Sequence, residues 1–168
     1  MATVAPGIVP QAFDAFVRKQ AVADVIVNIV LTGGINYLLT RKLDAVPLVL
    51  PFGNSAPNLA GTAIAIAVLM SILLTLIVFA ITVSQRKAGR IVPGLPATVR
   101  SGAILAKLVG KHLAITLIPA IVLTVLAGKF APETRMSPVV FVLLATAIAG
   151  TAAWFMSQST TRATLKLG

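Results

Sequence analysis

Apolar residues run almost unbroken through four windows of the chain, residues 21–40, 58–84, 112–128 and 136–159. A helix of about 20 mostly apolar residues crosses the hydrocarbon core of a bilayer. The third window is short by itself but continues a helical pattern upstream. The pattern predicts an all-α integral membrane bundle of four transmembrane helices, a single membrane domain over residues 1–168. A cytoplasmic loop falls at 85–111, with outer loops at 41–57 and 129–135. Local signals agree with these limits. Pro57-Asn58 places an N-cap before the second span, and Ser137-Pro138 gives a cap and a first-turn proline to the fourth. Pro93-Gly94 and Pro96 break the chain ahead of the third helix, and Pro119 lies inside it. The short outer loop 129–135 predicts that the third and fourth spans pack as antiparallel neighbours.

Polar residues interrupt the first window at regular spacing. Gln20, Asp24, Asn28, Thr32 and Asn36 recur at every fourth position, and Thr40 continues the series. Residues four apart stack along one inclined row of a helix. The other spans carry matching rows of small residues: Ala63, Ala67, Ser71 and Thr75; Thr116, Ala120, Thr124 and Gly128; Ala145, Ala149 and Ala153. Lipid offers little hydrophobic drive between helices, so close approach and interhelical hydrogen bonds must hold such a bundle together. The ridge therefore reads first as packing glue turned toward small-residue grooves. The second reading is a polar path for a solute or ion, since polar side chains within spans often mark pathways. Asp24 is expected near the cytoplasmic end, within reach of Lys107, Lys111 or Arg86.

Composition fixes the class. Of 168 residues, 58% are hydrophobic and only 11% charged, against about a quarter charged in soluble domains; the mean hydropathy is +1.00. The bilayer is the expected solvent and partner. The 14 basic residues give a net charge of +10. Only Arg41, Lys42, Lys129 and Arg135 fall on one side of the proposed spans, and the other ten fall opposite. The positive-inside rule then puts both termini in the cytoplasm, with a bacterial inner membrane as the expected location. The first seventeen residues carry no Lys or Arg, so the first apolar segment is expected to remain as an uncleaved span. Residues 10–20 read as its amphipathic lead, with Phe13, Phe16 and Val17 on the apolar side. Residues 97–111 predict an amphipathic interfacial helix before the third span, with Arg100, Lys107 and Lys111 on one face. Arg86, Lys87 and Arg90 join these as candidate contacts for anionic lipid headgroups and as orientation signals. Nucleic acid is not an expected partner, because the charge is divided among membrane flanks and no reading motif accompanies it.

Chemistry is sparse. The chain has four acidic residues, one histidine (His112) and no cysteine, and it carries no HExxH, Walker A or GxGxxG pattern. No metal site, cofactor or enzymatic activity is expected; the one conceivable acid–base pair is Asp24 with His112, and His112 reads more simply as an interfacial residue. The expected function is that of a small non-catalytic multi-span membrane protein. It would be an accessory subunit of a larger membrane complex or a self-associating module, with room for a homo-oligomer. The alternative is a component of a small-solute or ion transporter or channel, with the polar ridge of the first helix lining the path.

Overall fold

The structure, a computed structural model, describes residues 11–50, 56–96 and 101–167. Four helices dominate it: α1 (Phe13–Thr40), α2 (Leu59–Lys87), α3 (Gly102–Phe130) and α4 (Pro138–Lys166), each long and apolar enough to cross a membrane. The helical part of the 10–20 lead, from Phe13 onward, is the start of α1. Asn58 caps α2, its side-chain oxygen accepting from the Gly61 backbone N–H at 2.7 Å. Ser137 caps α4 through the Val140 N–H, with Pro138 at the first helical position. Midway along α2 the winding widens into a π-turn over Met70–Leu74. The expected interfacial segment is not a separate element. Its described part, residues 102–111, runs without a break into the third span, and residues 97–100 lie outside the described residues.

The helices form a row in the order α1, α4, α2, α3, bent so that α3 approaches α4 across a cleft. α1 lies along α4, and three contacts set its register. Asp24 meets Ser157, Ile29 meets Gly150, and Gly33 meets Thr146, so rising positions on α1 match falling positions on α4. The pair is antiparallel. Gly150 makes the approach possible, because a Cβ there would stand 3.2 Å from the Ile29 side chain. On its other face α4 buries Ala145, Ala149, Ala153 and Met156 against Ile66, Met70, Leu74 and Val78 of α2. The α3–α4 neighbourhood expected from the short loop is thus corrected, for those two helices touch only slightly. The small faces of α4 are already covered by α1 and α2. The connection is held instead by the loop between α1 and α2. Strand β2 (Val46–Pro47) pairs antiparallel with β4 (Arg135–Met136), and the Leu48 N–H donates to the Thr134 carbonyl.

The opposite end is closed around Arg86. Strand β1 (Gln11–Ala12) pairs in parallel with β3 (Ile91–Val92), which ties the start of α1 to the loop after α2. Arg86 is 2% exposed. Its guanidinium donates to the carbonyls of Pro93 (2.8 Å) and Thr164, and it lies 5.9 Å from the centre of the Phe13 ring. Arg86 is therefore not a headgroup contact; its donors are committed to backbone acceptors of the loop and the end of α4, and it meets α1 through the Phe13 ring.

Candidate functional site

The polar ridge of α1 faces α4. Phe13, Val17, Ala21, Asn36 and Thr40 are buried, while Gln20, Asp24, Asn28 and Thr32 are half-buried. Its hydrogen bonds run mostly along its own helix. Asn28 donates to the Asp24 carbonyl at 2.7 Å, Asn36 to the Thr32 carbonyl at 2.8 Å, and Thr40 to the Asn36 carbonyl at 2.7 Å. The bond that crosses to another helix comes from Ser157 Oγ, which donates to Asp24 Oδ2 at 2.6 Å while Gln20 donates to Oδ1 at 2.9 Å. Asn28 and Asn36 thus bond along α1 rather than across to α4. On the α4 side of this contact lie Gly150 and Thr146, and the Thr146 hydroxyl is itself donated to the Val142 carbonyl. With no partner across the gap, the amides turn to the nearest free lone pair, one turn back on their own helix.

Asp24 makes no ion pair among the described residues, and the expected basic partners lie elsewhere. Lys107 and Lys111 are exposed on α3, and Arg86 is engaged as described above. Arg90 is exposed, Lys87 is half-buried, and Arg100 lies outside the described residues.

A second polar cluster joins α2 to α3. His112 is fully buried, about 15 Å along α3 from Gly102 at about 1.5 Å per residue. Its Nδ1 stands 2.8 Å from the Thr75 hydroxyl, and its ring meets Phe155 of α4 edge-on with 5.9 Å between centroids. One turn on, Thr116 Oγ1 donates to the His112 carbonyl at 2.7 Å and lies 3.1 Å from Ser71 Oγ. Ser71 belongs to the π-turn of α2 and Thr75 follows it directly. The His112 side chain is thus packed between helices rather than exposed on the surface of α3. Its pairing with Asp24 is corrected, since Asp24 bonds Ser157 and Gln20 while the imidazole bonds Thr75. No group of three His, Asp or Glu side chains that would hold a metal exists among the described residues.

Beside this cluster a cleft of about 520 Å³ opens between α2, α3 and α4. Its lining is apolar except for the hydroxyls of Thr116 and Thr151. Ser157 and His112 were both within reach of the sequence pattern. Ser157 extends the row Ala145, Ala149, Ala153 by one step, and His112 extends the row of Thr116 and Ala120 by one step back.

No protein-family model, curated protein or solved structure matches the chain.

Proposed function

We propose that the chain is a small non-catalytic membrane protein that works by association, as an accessory subunit of a larger complex or as a self-associating module. The observation that carries this reading is the open row of helices with an uncovered small-residue stripe at its end. α3 terminates the row, and Ala106, Gly110 and Ala114 are exposed at four-residue spacing on its outer side, with no atom within 4 Å of a Cβ built at Gly110. Rows of this kind let a neighbouring helix approach closely in lipid, where apolar bulk alone gives no drive. At the other end of the row, α1 leaves Ile26, Val30 and Leu38 more than half exposed.

The four helices are the membrane-spanning elements in this proposal, in a bacterial inner membrane with both termini cytoplasmic. Arg18, Lys19, Arg90, Lys107, Lys111 and Arg162 are exposed near the ends of helices that the antiparallel packing brings to one side, which supports that orientation. α3 has 29 residues, about 43 Å of helix against a core of about 30 Å. Its first turns therefore extend to the headgroups, where Lys107 and Lys111 contact anionic lipid. Asn28 and Asn36 each donate one amide hydrogen to a carbonyl of their own helix, which by itself favours neither packing nor a solute path along the α1 ridge.

The test is the assembly state after gentle extraction in several mild detergents. The proposal expects an oligomer or a co-purifying membrane partner, weakened by Gly110→Leu. A strict monomer without partner in every detergent contradicts it.

A further inference from the structure

The walls of the α2–α3–α4 cleft continue past its end into basic residues. On α3, Ile115, Pro119 and Leu123 line it at four-residue spacing, and the same row one and two steps back reads Lys111 and Lys107, both exposed. On α4, Ile148, Thr151 and Phe155 line it, and Arg162, also exposed, stands seven residues beyond Phe155. At about 100° per residue, that separation brings Arg162 to within about 20° of Phe155 around the helix. The edge-on contact of His112 with Phe155 sets the two helices level. From there Arg162 lies about 10 Å toward the end of α4 and Lys107 about 7 Å toward the start of α3. The two helices are joined by a short loop and run in opposite directions, so both displacements point the same way. The Lys111 side chain leans back along α3 toward that level.

The cleft is closed above and open at the side. At the basic end, Leu108 packs with Phe79, Leu95 and Leu167, and His112 is buried against Thr75 and Phe155. Beyond them Ile115, Leu123, Ile148 and Phe155 are 37 to 65% exposed along a lining that is apolar apart from two threonine hydroxyls. The α3 wall from Ile115 to Leu123 is about 12 Å long. A transmembrane helix runs the full core of about 30 Å and would meet the closed part. A flexible apolar chain enters from the side, and about 520 Å³ is room enough for one. Acidic groups lie elsewhere. Asp14 and Asp24 belong to α1, which packs on the opposite face of α4, and Asp44 and Glu133 lie in the loops at the far end.

We propose that the cleft binds one anionic phospholipid, its phosphate held between Arg162 on α4 and Lys107 and Lys111 on α3, and one acyl chain lying in the groove. This rests on the membrane reading given above and deepens it, from a general attraction of basic residues to the lipid surface to one bound molecule. The depths agree. With Lys107 and Lys111 at the headgroups, Ile115 lies one turn inside and the groove falls within the hydrocarbon.

Native mass spectrometry of the detergent-solubilised protein, titrated separately with dioleoyl phosphatidylglycerol and dioleoyl phosphatidylcholine, reads the site directly. One phosphatidylglycerol per chain is expected, preferred over phosphatidylcholine by about tenfold. Arg162→Gln combined with Lys111→Gln is expected to abolish the preference, and both positions are exposed, so the fold is not at stake. Lys129→Gln, at the far end of α3, is expected to keep it. Ala120→Leu fills the groove without touching a basic residue and is expected to weaken binding of both lipids about tenfold. Equal binding of the two lipids to the wild type, a preference that survives the double variant, or binding unaffected by Ala120→Leu each overturns the inference. So does a lipid-free dimer that Ala120→Leu disrupts, since a second copy then fills the groove. Carbonate washing of native membranes separates this failure from that of the reading beneath it. Release of the protein to the aqueous phase refutes the membrane reading, while retention without selective lipid binding refutes this site alone.

Discussion

The Asp24 carboxylate, the Arg86 guanidinium and the His112 imidazole show three ways of keeping a polar side chain inside an apolar fold. Asp24 is held by two neutral donors, Ser157 and Gln20. Removing the first, by Ser157→Ala, is expected to cost about 0.6 to 1.7 kcal/mol in unfolding measurements in detergent, the range found for hydrogen bonds between membrane helices. Arg86 gathers carbonyls from a loop and from the end of α4, and each bond from a charged donor is worth about 1.5 to 3 kcal/mol. Arg86→Met should therefore lower stability by at least that amount, while Arg90→Met, at an exposed position, leaves it unchanged. Steric fit is equally local. Gly150→Leu places its side chain against Ile29 and should cost about 1 to 3 kcal/mol, whereas Gly34→Ala, with nothing within 4 Å, should cost none. The sequence made the ridge and the small rows visible at this scale. It did not show which acceptor each amide chooses, because that depends on what the facing helix offers.

At the scale of the elements, a row of residues four apart drifts by about 40° per step around an ideal helix of about 100° per residue. In α2 the buried positions Ile66, Met70, Leu74, Val78, Thr82 and Arg86 keep that spacing through to its C-terminal end. The π-turn at Met70–Leu74 winds more loosely and takes up part of the drift, so the row stays on one face and Ser71 and Thr75 meet α3. Nothing in the letters MSILL announces it. The caps at Asn58 and Ser137 were legible because capping is a contact within a few residues of chain. The order of packing was not, because the short 129–135 loop constrains only one end of two long helices. The α1–α4 register has a direct check in a chain without native cysteine. Cysteines placed together at Gly33 and Thr146, where a Cβ would stand 3.3 Å from the facing hydroxyl, should form a disulfide under mild oxidation. Absence of that cross-link in the folded protein contradicts the register.

For the molecule as a whole, the four apolar windows were enough to indicate four helices long and apolar enough to cross a membrane. Their arrangement as a row, with α4 inside and α1 and α3 at the ends, comes from which small faces match, and it determines what remains free to associate. The central claim is that the hydrophilic edge of α1, half-buried from Gln20 to Thr32 and buried at Asn36 and Thr40, packs toward α4 and away from water. Single cysteines at positions 28, 32 and 36, probed in intact membranes with a water-soluble maleimide, measure this directly, with a cysteine at the exposed position 107 as the reactive control. An edge packed in this way leaves all three unlabelled while the control reacts fully. Labelling of the three at rates close to the control means that the edge is wet, and contradicts the account.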